Sequence, residues 1–129
     1  MTSKKLTLSL IIPAYNEERH IRATLESVAR QTVMPDEVIV VDNNSTDSTV
    51  KIAKEFDFVT VITEKEQGLT YSRNTGFSKA TSVILGRVDA DSILEEQWVE
   101  KVINMFEDGS NTNGIAGMGN TPLIPYLSW

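Results

Sequence analysis

The chain has no cysteine, so disulfides, thiol nucleophiles and thiolate metal sites are excluded at the outset. It has no apolar run near the roughly 18 residues that a membrane span requires. It also lacks basic excess. A net charge of -6 leaves no positive stripe for a nucleic acid. A nucleotide ligand is not excluded by that charge, because a metal ion can mask a diphosphate locally. The sequence contains no internal repeat, charge block or low-complexity linker. Nor does its first apolar run lead into G-x-G-x-x-G, the glycine loop on which a dinucleotide-dependent oxidoreductase rests its pyrophosphate. The same gap disfavours a sugar nucleotidyltransferase, which is expected to open with a glycine-rich, basic loop.

What is present is the composition of an ordinary globular domain: 129 residues, 40% hydrophobic and 23% charged. That length suffices to bury a core without staples. A basic pair near Met1 precedes Leu6 to Ala14, a superficial likeness to a signal peptide. Alternation with Thr7 and Ser9, and the charged Glu17-Glu18-Arg19 that follows, fit a buried strand entering a helix instead. The expectation is a cytoplasmic protein.

Strand-like and helix-like segments alternate, the pattern of a parallel α/β sheet. Leu6 to Pro13 reads as the first strand, and Glu18 to Arg30 as a helix with Ile21, Leu25 and Val28 on one face and Asn16 as N-cap. Glu37 to Val41 reads as a fully buried strand, followed by a polar loop and a helix over Ser48 to Phe56 with Val50, Ile52 and Ala53 inward. Phe58 to Thr63 is a third strand, and Thr70 to Lys79 a more polar helix after the Gln67-Gly68 turn. Ser82 to Asp89 is the fourth strand. Ser92-x-x-Glu95 has the form of a capping box, opening a helix with Val99, Val102, Ile103 and Phe106 inward. We expect one core over residues 1–109. Residues 110–129 form a tail of uncertain structure, in which Ile115 to Met118 is a candidate strand and the apolar Pro122 to Trp129 an association segment.

Ligands of open α/β sheets sit beyond the carboxyl ends of the strands. Four candidate groups fall at such ends. Pro13-Ala14-Tyr15-Asn16-Glu17 offers a ring for stacking and backbone for a base edge. Asp42 is an acceptor for a base N–H. Arg73, beside Asn74, carries a planar fork for carbonyl or phosphate oxygens. Asp89 and Asp91, one residue apart, can hold a divalent cation against a diphosphate. Each has a plainer explanation. Tyr15 can cap the core edge, Asp42 can serve its turn, Arg73 can be a solvated helix residue, and the aspartates can punctuate a loop. Their conjunction on one sheet edge favours a nucleotide-sugar site.

The run Ser9-Leu-Ile-Ile-Pro-Ala-Tyr-Asn-Glu-Glu18 resembles the opening of family 2 glycosyltransferases, which have the GT-A fold. Val40-Val-Asp-Asn-Asn-Ser-Thr-Asp47, Gly68-Leu-Thr-Tyr-Ser-Arg-Asn-Thr-Gly76 and Val88-Asp-Ala-Asp-Ser92 are similar to three further segments of that family, in matching order and spacing. The resemblance implies a Rossmann-like, mostly parallel sheet flanked by helices, covering Leu6 to about Phe106 and lacking the acceptor half. It implies that Pro13, Tyr15 and Glu17 lie around base and ribose, that Asp42 contacts the base and that Arg73 helps enclose it. Asp89 would sit near ribose and metal, with Asp91 the main protein ligand of Mg²⁺ or Mn²⁺. The implied donor is a UDP- or GDP-type sugar, and the acceptor is unknown.

Two departures stand out. Arg87 occupies a strand position where the family has an apolar or aromatic residue, on the same face as Asp89. A buried arginine there calls for an ion-pair partner, or else contact with the ligand. Second, the family's catalytic base comes well after the D-x-D triplet. Glu95, Glu96, Glu100, Glu107 and Asp108 read as solvated or helix-end acids, so the base is expected beyond Trp129 and no catalytic residue is identified. The leading expectation is the donor-binding portion of a transferase. The alternative is a nucleotide-binding or interaction module without transfer activity. An uncovered sheet edge further predicts self-association, and peripheral work at the inner face of a membrane is a further expectation.

Overall fold

The computed structural model describes residues 6–107, together with two short strand segments at 115–116 and 124–125. Four parallel strands form the sheet: β1 (Leu8–Ala14), β2 (Glu37–Asp42), β3 (Val59–Thr63) and β4 (Ile84–Arg87), in the order β3-β2-β1-β4. The helices are α1 (Ile21–Ala29), α2 (Thr49–Ala53), α3 (Leu69–Lys79) and α4 (Trp98–Glu107). The expected α/β class and the alternation of elements are observed. A separate antiparallel pair joins β5 (Ile115–Ala116) to β6 (Ile124–Pro125). The first lies in the expected tail strand; the rest of the tail is outside the described residues.

β1 is the centre of the molecule. All seven of its residues are buried, as a strand flanked on both edges and covered on both faces must be. Side chains alternate across it. Leu8, Leu10, Ile12 and Ala14 join Val38 and Val40 of β2 in the larger core, against Ile21, Leu25 and Val28 of α1 and Trp98, Val99, Val102 and Ile103 of α4. Ile11, Ile39 and Val41 point the other way and pack with Ile62, Phe77 and Ala80. The helix on that second face is α3, which lies on β1 and β2.

α3 approaches closely because it presents small residues to the sheet. Its buried positions are Ser72 and Gly76, one turn apart. A Cβ on Gly76 would collide with Ile11 Cγ2 and come within 3.0 Å of Val41 Cγ2. Its weak apolar periodicity, read from sequence only as a polar helix, follows from this contact.

Local readings fail where tertiary hydrogen bonds override them. Asn16 does not cap α1. It takes a left-handed turn conformation (φ 51°), open to asparagine at small cost, and the helix begins only after His20. Likewise Ser92 does not start α4, which begins at Trp98. The intervening chain is tied to the end of α1 instead. The Leu94 N–H donates to Ser27 Oγ (3.0 Å), Gln31 Nε2 to the Glu95 carbonyl (2.6 Å) and the Thr32 N–H to the Glu96 carbonyl (2.9 Å). The Val99 N–H, in the first turn of α4, donates to Gln31 Oε1 (2.9 Å). A side chain 68 residues away thus does the work of a local cap.

Candidate functional site

The strand order reverses direction between β1 and β4, since β2 and β3 lie on one side of β1 and β4 on the other. Such a switch point opens a crevice at the carboxyl ends of the strands. Here it is a cleft of about 410 Å³, lined by Pro13, Ala14, Tyr15, Glu17, Asn43, Gln67, Gly68, Leu69, Ser72, Asp89, Ala90 and Asp91. That volume falls within the range of small-molecule sites, about 300–1,000 Å³.

Register brings the D-x-D triplet to it. β4 ends at Arg87, paired with Ile11, and the Val88 N–H still donates to the Ile11 carbonyl (2.9 Å). The chain then leaves the sheet beside Pro13 and Ala14. Ala90 is buried and its carbonyl accepts the Thr24 hydroxyl (2.8 Å), which pins the loop to α1 between its two carboxylates. Asp91 is exposed and has no hydrogen-bond or ion-pair partner among the described residues. Arg87 is not buried as its strand position suggested. Its guanidinium is 33% exposed and stands 3.9 Å from Asp89 Oδ1, itself 43% exposed. This is the partner the sequence called for, but so solvated a pair contributes little stability. It leaves Asp89 open to a ligand.

A second wall is built by hydrogen bonds between loops. The Asn16 N–H donates to Ser45 Oγ (2.9 Å), the Glu17 N–H to Thr49 Oγ1 (2.9 Å) and the Glu18 N–H to Asp47 Oδ2 (3.3 Å). In return the Thr46 N–H donates to Asn16 Oδ1 (2.8 Å) and the Ser48 N–H to Glu18 Oε2 (3.2 Å). The segment Asn43 to Asp47 therefore positions the loop that carries Tyr15. For Asp47 itself, burial pushes the carboxyl up. Donation from the Thr49 hydroxyl, the Thr49 N–H and the Glu18 N–H outweighs it and holds the group below its ordinary value.

Asn43 organises the third wall. Its Nδ2 donates to the carbonyls of Glu64 (2.8 Å) and Glu66 (2.7 Å), and its Oδ1 accepts the Gly68 N–H (2.8 Å). The Asn43 carbonyl accepts Gln67 Nε2 at 2.7 Å. Gly68 has φ 137°, a conformation glycine alone adopts readily, and there the chain turns into α3. The Glu64 carboxylate accepts the Thr75 hydroxyl and the Glu66 N–H, which keeps it below the usual carboxylate range.

Of the residues named from sequence, Pro13, Tyr15, Glu17, Asp89 and Asp91 come together in this cleft. Asp42 and Arg73 are not among its lining residues. Asp42 is 3% exposed, and its carboxylate accepts the Ser45 N–H (3.1 Å), an aspartate closing its own turn. Arg73 is half-buried on α3 without a partner among the described residues. In both places the neighbouring residue, Asn43 or Ser72, lines the cleft instead. Sequence reasoning missed these two, with Gln67, Gly68 and Leu69. Both segments had been recognised, but within each the more strongly charged side chain drew the role.

The two aspartates suit one kind of cation. Among the described residues no group of three or more His, Cys, Asp or Glu side chains forms a metal cage. Mg²⁺ and Mn²⁺ need no such cage when a diphosphate and water complete their oxygen shell around one or two carboxylates. The unpaired Asp91 and loosely paired Asp89 fit that arrangement.

Comparison with known proteins agrees with the geometry. Residues 9–118 match the model of glycosyl transferase family 2. The glycosyltransferase AglE of Haloferax volcanii is 39% identical over 124 residues, which make up 91% of this chain and 40% of AglE. S. aureus TarS 1–349 in complex with UDP superposes with a TM-score of 0.75 at 25% identity, over 91% of this chain and 38% of that one. The mannosyltransferase PcManGT from Pyrobaculum calidifontis, in complex with GDP-Man and Mn²⁺, gives 0.65 at 31% identity, over 71% and 29%. The chain thus spans well under half the length of each of these proteins. Its sheet, its cleft and its matched segments have one source: the chain belongs to glycosyl transferase family 2.

Proposed function

We propose that the cleft binds the nucleoside diphosphate of a sugar donor, with a divalent cation held at Asp89 and Asp91, for transfer of the sugar to an acceptor. The observation that carries this reading is that both aspartates line the same cleft as Pro13, Tyr15 and Glu17, at the switch point of the sheet. The UDP and GDP-Man complexes of TarS and PcManGT, and the Mn²⁺ of the latter, support it by analogy.

In this reading Tyr15, 49% exposed, offers its ring to the base. Glu17 and Asp89 accept ribose hydroxyls, and Asp89 and Asp91 hold Mg²⁺ or Mn²⁺. The cation would neutralise the diphosphate and stabilise the charge of the departing nucleoside diphosphate. Asp42, whose turn carries Asn43, accepts a base N–H. Arg73, whose guanidinium is free among the described residues, encloses the base once a ligand is present. No catalytic base is assigned. We place the protein in the cytoplasm, at the inner face of a membrane, with its acceptor unassigned and the open sheet edge available for self-association.

Calorimetric titration tests the reading. UDP or GDP should bind with Mn²⁺ present and at least tenfold more weakly in EDTA, and Asp91→Asn should remove most of that difference. No binding of either nucleotide with Mn²⁺ would refute it. Labelled donor sugars with lipid or glycan acceptors separate an active transferase from a module that only binds nucleotide, since turnover excludes the latter.

A further inference from the structure

Ser72 is 1% exposed and lines the cleft, yet its hydroxyl has no hydrogen-bond partner. Buried hydroxyls are ordinarily paired, and a helical serine has an easy partner in the carbonyl four residues back. In α3 that carbonyl, of Gly68, receives the Ser72 N–H (3.3 Å) and not the hydroxyl. The unpaired atom sits where a ligand is expected.

We propose that the Ser72 hydroxyl donates to a carbonyl oxygen on the base of the bound nucleotide, and so favours uracil or guanine over adenine. This rests on the nucleotide-sugar reading above and names the side chain that reads the base. The strand order supplies the direction. Asp89 and Asp91 follow β4 on one flank of the cleft, and the β1 loop with Tyr15 lies between. Asn43 follows β2, away from β4, and Gln67 to Ser72 enter the cleft at the start of α3, which lies over β1 and β2. A nucleotide whose diphosphate meets the aspartates extends its base toward Ser72.

The polarity around Ser72 selects an acceptor. Ser72 is in the first turn of an 11-residue helix whose N-cap, Gly68, supplies no side-chain hydrogen bond. The backbone N–H groups and dipole there favour partial negative charge. The nearby amide oxygen of Asn43 is occupied by the Gly68 N–H. A base carbonyl meets these requirements. Uracil presents two and guanine one, whereas the edge of adenine carries an amino group and ring nitrogens.

The test uses the 129-residue chain titrated with UDP, GDP and ADP in Mn²⁺, as wild type and as Ser72→Ala. Wild type should bind UDP or GDP more tightly than ADP. The variant should lose about fivefold for the preferred nucleotide, the share of one neutral hydrogen bond, and nothing for ADP. Thermal melting without ligand supplies a second readout: removal of an unpaired buried hydroxyl should leave the melting temperature unchanged or raised. An unchanged UDP:ADP or GDP:ADP ratio, equal weakening of all three, or a lowered melting temperature would each overturn the assignment. Failure of every nucleotide to bind wild type would remove the nucleotide reading itself. Binding with an unaltered preference in the variant would remove the Ser72 assignment alone.

Discussion

Asn43 shows how one side chain sets the shape of a site without presenting charge to it. Two donors and one acceptor of its amide fix three points of the segment Glu64 to Gly68. Asn43→Ala should cost roughly 1–3 kcal/mol in urea unfolding, since the Glu64 and Glu66 carbonyls lose a buried partner together. Asn43→Asp should be no milder despite its nearly identical shape. A carboxylate has no donors, and it would face the two carbonyl oxygens. Nucleotide affinity should fall in both variants, because Gln67 to Ser72 are positioned from this point. Asp42, beside it, closes its own turn by accepting the Ser45 N–H.

At the scale of elements, α3 is the most demanding packing unit. Gly76 lets its backbone settle on Ile11 and Val41, and a Cβ there has no room. Gly76→Ala should destabilise the protein by about 1–3 kcal/mol despite the better helix propensity of alanine, measurable as a lowered urea midpoint with unchanged slope. The apolar strands β1 and β2 and the inward face of α1 were legible in the sequence because their signal is local: buried strands are continuously apolar, and Ile21, Leu25 and Val28 recur at helical spacing. The covered face of α3 was not, since it buries a serine and a glycine. The starts of α1 and α4 were misplaced for a related reason. Asn16 and Ser92 have the chemistry of caps, but Thr46 claims the Asn16 amide oxygen, and the chain after Ser92 is held by Ser27 and Gln31. Bonds between residues distant in sequence leave no periodic trace. The site was legible to the extent that charged or aromatic groups mark it, and Ser72 carries no such mark.

For the molecule as a whole, acid sensitivity follows from carboxylates that tie loops and edges together. Asp47, Glu64 and Glu37 are all held below their ordinary values of 3.8 and 4.5. At Glu37 the Ser9 hydroxyl (2.7 Å) is the main cause, offset in part by burial and assisted by Thr81. A carboxyl depressed in the folded state binds its proton more readily when unfolded. Its contribution is therefore complete above the ordinary value and is lost as pH falls through the folded one. The urea midpoint should be level from pH 7 to about pH 5 and decline below it. Asp47→Asn and Glu37→Gln should lower the plateau and flatten the decline.

The placement of β4 carries one more consequence. Among the described residues it pairs with β1 alone, so its far side offers an unfilled ladder of backbone donors and acceptors. That ladder ends two residues before Asp89. Any strand that docked there would grip the root of the loop bearing both aspartates, and its register would set how far they reach into the cleft. The edge is thus a lever on the geometry of the cleft, by which a neighbouring segment shifts its carboxylates without entering it.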